Sequence, residues 1–133
     1  MNRRSHCPIS FALELFGDRW TLLVIRDLAL MGKSSYTDLL CSDEGIATNI
    51  LAERLARLEQ RGIIRKERDT QDRRRSRYRL TEAGLDLIPV LVEIIVWGAN
   101  NDDESAIGPE FVREAETDRA GLLARLRADG LQL

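Results

Sequence analysis

Apolar residues recur at helical spacing along most of the chain, and one short region alone breaks to a strand-like pattern. Pro8 suits the first turn of a helix, where its missing N–H costs nothing. Ile9, Ala12, Leu13, Leu15 and Phe16 keep the helical period up to Gly17. Asp18 fits an N-cap. The run through Trp20, Leu22, Leu23, Val24, Ile25, Leu28 and Leu30 to Gly32 is apolar on most sides, which predicts a buried central helix. Ser35 with Asp38 three residues later has capping-box spacing and predicts a short helix ending near Cys41 and Ser42. Asp43-Glu44-Gly45 reads as a turn. From Ala47 to Arg61, Leu51, Leu55 and Leu58 form one stripe, with Ile50 beside it and Gly62 ending the helix. At about 100° per residue, Asn49, Glu53, Arg57 and Gln60 point the other way.

Two short strands are expected next, over 63–68 and 77–80, joined by a polar loop that carries Arg73, Arg74 and Arg75 in succession. Thr81 can cap a long helix through Leu85, Ile88, Leu91, Val92, Ile95 and Trp97, with Pro89 as a kink point inside it. A polar, acidic break follows from Gly98 to Gly108. Pro109 then opens a thinner helical stretch with Phe111, Val112, Leu122, Leu123 and Leu126. The expected organisation is a principal unit over residues 1–98 and an acidic helical extension over 99–133. The pattern leaves open whether that extension folds back or joins an interface between chains.

The order of elements is the winged helix-turn-helix plan: mainly α, with a small β-hairpin wing and extra terminal helices suited to dimerisation. At 133 residues, with 44% apolar and 32% charged side chains, the chain fits one globular domain. Leu85 to Trp97 is too short, and too charged at Asp86 and Glu93, to span a bilayer. No secretory h-region follows the start, so a cytoplasmic location without membrane contact is expected, with Cys7 and Cys41 as reduced thiols.

Charge sharpens the picture. The net charge of −2 argues by itself against a nucleic-acid partner. Yet residues 46–80 hold eleven basic and five acidic side chains, whereas 82–133 hold four basic and eleven acidic. A concentrated basic segment is what a phosphate backbone requires, because affinity comes from local counterion release. A helix fits the major groove of double-stranded DNA and reads base edges with its polar face. A basic hairpin beside it reaches the adjoining backbone or minor groove. The expected DNA-binding residues are therefore Thr48, Asn49, Glu53, Arg54 and Arg57 on the helix, with Arg73, Arg74, Arg75 and Arg77 on the wing. Two of these carry alternatives: Glu53 accepts from cytosine or pairs with Arg57, and Arg54 meets phosphate or the rim of the core. With one histidine, His6, and no phosphate-binding glycine loop or nucleophile elbow, the sequence offers no catalytic set, no metal site and no cofactor signature.

Several segments together carry a family resemblance. They are Cys7-Pro8, the run from Gly17-Asp18-Arg19-Trp20 to Asp27-Leu28, Tyr36-Thr37-Asp38-Leu39, the run from Gly45-Ile46-Ala47-Thr48-Asn49 to Leu58-Glu59, Tyr78-Arg79-Leu80-Thr81-Glu82-Ala83-Gly84, Pro89-Val90-Leu91 and Trp97-Gly98. In order and spacing over about residues 5–98 the chain resembles the HxlR-type winged-helix regulators. The resemblance implies a homodimeric transcriptional regulator of bacterial type, a pseudo-palindromic operator, dimer contacts from the first and last helices, and 47–61 as recognition helix. The chain departs from the pattern in having Ser35 where many members are basic, and Ala47-Thr48 where many have Ser-Pro.

The apolar stripe Leu85, Ile88, Leu91, Val92, Ile95 with Trp97 is wider than one side of a small domain needs and reads as a dimer surface. Cys7 precedes a helix N-terminus and lies near Arg3, Arg4 and His6, features that favour a thiolate and so a redox sensor; the resemblance strengthens this, and a packed, inert cysteine is the plain alternative. An oxidant or a small-molecule effector is the expected class of signal. The competing reading of the whole chain is a winged-helix module that binds protein and not DNA.

Overall fold

A computed structural model describes residues 4–131 of the chain. Eight helices and one hairpin appear among them: α1 (Pro8–Phe16), α2 (Thr21–Leu30), α3 (Tyr36–Leu40), α4 (Thr48–Gln60), β1 (Ile64–Arg68), β2 (Ser76–Leu80), α5 (Glu82–Leu85), α6 (Ile88–Asn101), α7 (Pro109–Thr117) and α8 (Arg119–Asp129). This is a winged helix-turn-helix. No described helix is long and apolar enough to cross a membrane.

The central helix is α2, which packs against α1, α3, α6, α8 and β2. Its Ile25 and Leu30 join Leu51 and Leu58 of α4, Ile64 of β1 and Val92 of α6 in one core, each almost wholly buried. Each such side chain contributes about 1.5–3 kcal/mol through removal from water. Local chemistry sets the element ends. Ser35 and Asp38 exchange hydrogen bonds in a capping box at α3. Gly62, at φ 72°, closes α4: its N–H reaches Glu59 O and the Ile63 N–H reaches Leu58 O, the pair of bonds of a Schellman motif. β1 and β2 pair antiparallel with Lys66 opposite Tyr78, and Ser35 forms a lone bridge to Arg77.

Three expectations change. Pro89 does not kink a continuous helix; the chain breaks after α5, and Pro89 sits in the first turn of α6. α6 runs through Gly98 to Asn101, past the expected break. The stretch after Pro109 is two helices, because Asp118 caps α8 by accepting from the Gly121 N–H. This α7–α8 hairpin folds back on its own subunit. Ala115, Leu122 and Leu126 are buried, and the Leu131 N–H bonds Leu30 O at 2.8 Å.

The fold-back corrects the expected dimer surface. Ile88, Leu91 and Val92 belong to the subunit's own core, and Leu85 and Ile95 are half-buried against it. The pattern alone left no second layer over α6; α7 and α8 supply one. Trp97 alone of that set faces solvent, 71% exposed. The other exposed large apolar residues include Ile94 beside it and Ile9, Phe11 and Leu13 on α1.

Candidate nucleic-acid interface

α4 is held so that its leucine stripe faces the core and a different set of residues faces outward. Thr48, Asn49, Ala52, Glu53, Ala56, Glu59 and Gln60 are exposed. Ala52 and Ala56 were not singled out from sequence; their small side chains let the helix approach a flat or grooved partner closely. The phenol O–H of Tyr36 donates to Thr48 O at 3.1 Å, tying α3 to the first turn of α4.

Arg54 takes the second of its two expected places, at the rim of the core, and Arg57 lies elsewhere than expected. They flank the leucine stripe on one side and turn toward α1 and α2. Arg54 Nε donates to Asp18 Oδ2 at 2.9 Å, and a second nitrogen pairs with Glu53. Arg57 Nη2 donates to Asp18 Oδ1 (3.0 Å), Thr21 Oγ1 (2.9 Å) and the Leu15 carbonyl (3.2 Å). The expectation that Arg57 reads DNA gives way to this: its Nη2 is committed within the subunit, and its Nε is buried without a hydrogen-bond partner among the described residues. The physical reason is Asp18. Its carboxylate also accepts from the Trp20 and Thr21 N–H groups and from the Thr21 hydroxyl. Partial burial pushes the Asp18 pKa up, but the bonds from Thr21, Arg54 and the two backbone amides outweigh it and hold the group well below the usual carboxylate range. An ionised, half-buried carboxylate demands cations, and α4 supplies two. Glu53 pairs with Arg54, not with Arg57.

The wing is ordered at its base and open at its tip. Asp69 is buried, accepts from the Gln71 N–H, and takes the Arg77 Nε at 3.2 Å. Arg77 also donates to Ser34 Oγ at 2.6 Å. It therefore fastens the hairpin to the segment before α3. Arg74 leans on Asp72 at 3.3 Å, yet 92% of its side chain is exposed. Arg73 and Arg75 are exposed, without an ion pair among the described residues. Asp18, Tyr36, Ser34 and Asp69 were missed as site-building residues; the short polar spacing at Asp18 to Thr21 was the one local signal.

Cys7 stands at the N-cap of α1 with its thiol exposed, and Cys41 is an exposed residue at the end of α3. Arg4 and His6 are exposed beside Cys7, while Arg3 lies outside the described residues. Among the described residues no group of acidic, histidine or cysteine side chains is arranged to hold a metal ion.

The family model of the HxlR-like helix-turn-helix matches residues 15–106, from the end of α1 past α6. The chain belongs to the HxlR-like helix-turn-helix family. An HTH-type transcriptional regulator of Mycobacterium tuberculosis is 40% identical over 87 residues, 65% of this chain and 54% of that protein, so the chain spans about half the length of this relative. Among solved structures, the transcription factor PA1607 superposes with a TM-score of 0.71 at 34% identity, covering 79% of this chain and 74% of that one. The redox regulator HypR in its oxidized form gives a TM-score of 0.62 at 28% identity over 73% of this chain and 99% of HypR. These relatives and structural neighbours are transcriptional regulators, which are not enzymes.

Proposed function

We propose that this HxlR-like protein is a dimeric transcriptional regulator that binds a pseudo-palindromic site in double-stranded DNA. The outward face of α4 enters the major groove, with Thr48, Asn49 and Glu53 at base edges. The tip arginines Arg73, Arg74 and Arg75 lie on the neighbouring backbone. Arg54, Arg57 and Arg77 set the angle of helix and wing. The observation that carries the reading is the division of labour among the arginines. Those at the flank of α4 and the base of the wing are paired with Asp18, Glu53 and Asp69, while those at the tip project into solvent. A merely soluble surface has no use for three adjacent like charges.

Two copies meet through the exposed apolar residues of α1 and α6, above all Ile9 and Trp97. Their recognition helices then lie about one helical turn apart on the duplex. Bound at a promoter, the dimer acts by occupancy. Two classes of signal fit: a small molecule, or an oxidant acting on Cys7, an exposed thiol at the start of the helix that carries part of the dimer face. HypR, a redox regulator, supports the second class.

The test is selection of duplexes from a random pool, under thiol reductant, followed by footprinting. Two protected half-sites about 10 base pairs apart are expected. Absence of retention at low salt, with or without reductant, would sink the DNA-binding reading and favour a protein-binding module.

A further inference from the structure

The α7–α8 hairpin builds a cavity as well as covering the core. A half-open cavity of about 440 Å³ lies between α2, α6 and the chain on either side of the hairpin. Leu23 and Met31 line it from the α2 side, Ile94 from α6, and Ile107 and Leu131 from the extension. Leu23, Met31, Ile94 and Ile107 do not belong to the hydrophobic core. Four large apolar side chains thus converge on a space that the fold does not fill. Ile107 and Leu131 also lie beyond residues 15–106, so this wall is not a feature of the family's common part.

One end of the cavity is charged, and one carboxylate there has no cation of its own. Two cations, Arg26 and Lys33, meet three carboxylates, Asp27, Asp43 and Glu44. Arg26 is committed to Asp27 at 2.9 Å and Glu44 at 3.2 Å, Arg19 reaches Glu44 from outside the lining at 3.7 Å, and Lys33 pairs with Asp27 at 3.9 Å. Asp43 has no ion pair among the described residues. The surrounding extension is itself strongly acidic. An apolar chamber with an unmatched carboxylate at its mouth selects an apolar body carrying a positive group.

We infer that this cavity binds a lipophilic organic cation, and that the cation is an effector of DNA binding. The effector role rests on the function proposed above; the binding site does not. The link is Arg26, which also donates to Ser42 Oγ at 3.3 Å. Ser42, Asp43 and Glu44 form the turn between α3 and α4. A cation seated at Asp43 competes with Arg26 and Arg19 for the neighbouring Glu44 and frees the turn that positions the recognition helix. Operator affinity then falls as the cation binds, and by linkage DNA weakens cation binding equally.

The experiment is calorimetry of the full chain with 4-phenylbutylammonium and with 4-phenylbutyrate, near-isosteres of opposite charge. One site per chain is expected for the ammonium, with the carboxylate about tenfold weaker or undetected. Asp43→Asn, a change at an exposed residue, should weaken the ammonium about fivefold and not weaken the carboxylate. Ile107→Trp, which fills the chamber from its half-buried edge, should abolish binding. Both variants should melt as the native protein does. Equal binding of both probes, binding of neither, or ammonium binding indifferent to both variants overturns the site. Saturating ammonium should raise the Kd for the selected duplex several-fold. Binding by calorimetry with an unchanged duplex Kd overturns the effector role. A chain that binds ammonium but no DNA would retain the site and refute the function proposed above.

Discussion

Asp18 joins the start of α2 to α4 through one carboxylate. Arg57 reaches past it to the last turn of α1, so the angle of the recognition helix depends on a residue 36 to 39 positions away in sequence. Replacing Asp18 by Asn should cost about 2 kcal/mol at pH 7, because two half-buried guanidinium groups lose their counter-charge. The sign of the pH dependence follows from the depressed pKa. The unfolded chain has Asp18 near its ordinary value of about 4, so the stabilisation is complete above that pH and is lost as pH falls toward the folded-state value. Urea melts at pH 7 and pH 3 should therefore show native and Asp18→Asn proteins converging at the lower pH; an unchanged gap would remove the ion cluster from the account. At this scale the sequence is least legible. A 3.6-residue period says which side of a helix is apolar and puts Arg57 on the other side, but a partner distant in sequence decides which way a long side chain turns. Asp18 is recognisable as a cap, and it does bind the Trp20 and Thr21 amides; its cations are out of reach of local reasoning.

Helix ends and the hairpin are legible because capping and turn chemistry act within four residues. The Ser35–Asp38 box, the Gly62 terminus and the Thr81 cap all stand where the pattern puts them. Pro89 departs from expectation for a definable reason: proline inside an apolar period is equally consistent with a kink and with the start of a new helix, and only the tertiary path separates them. The junction between wing and α5 carries a sharp prediction. A Cβ on Gly84 would fall 2.3 Å from Ile63 O and 2.8 Å from a Leu80 methyl group, so the backbone itself must shift. Gly84→Ala should destabilise by about 1–3 kcal/mol and loosen the hairpin. Hydrogen exchange faster at β1 and β2 than in α2 would report it; unaltered exchange and stability would show that the close approach has no consequence. By contrast, Ala at Arg73, Arg74 and Arg75 together should change the unfolding free energy by less than about 0.5 kcal/mol, since those side chains are exposed.

For the molecule as a whole, the basic middle of the sequence corresponds to the wing, whose residues 64–80 carry eight basic and three acidic side chains, while α4 is charge-balanced and the acidic residues of the last third are spread from α5 to the end of α8. The charge partition is therefore informative about function where net charge misleads. The proposed dimer surface is half legible in the sequence. The outer positions of α6 point away from the subunit, but its inner positions are taken by a hairpin whose thin apolar stripe gives little warning that Leu122 and Leu126 are buried. Trp97→Glu should give a monomer by light scattering, with its fold intact by circular dichroism, because the indole is 71% exposed in the single subunit. A dimer that survives this change would place the interface elsewhere.

The central claim is that exposed tip arginines meet DNA while Arg57 holds the helix that reads it. A salt titration of duplex binding tests this most directly, comparing the native chain with the triple Ala variant at Arg73, Arg74 and Arg75 and with Arg57→Ala. Removing one arginine–phosphate pairing should flatten the log–log salt slope by about 1. The account predicts a steep native slope, a clearly shallower slope for the wing variant at unchanged stability, and for Arg57→Ala a weaker, less stable protein whose slope stays near native. A wing variant with the native slope, or an Arg57 variant that alone flattens it, would contradict the account.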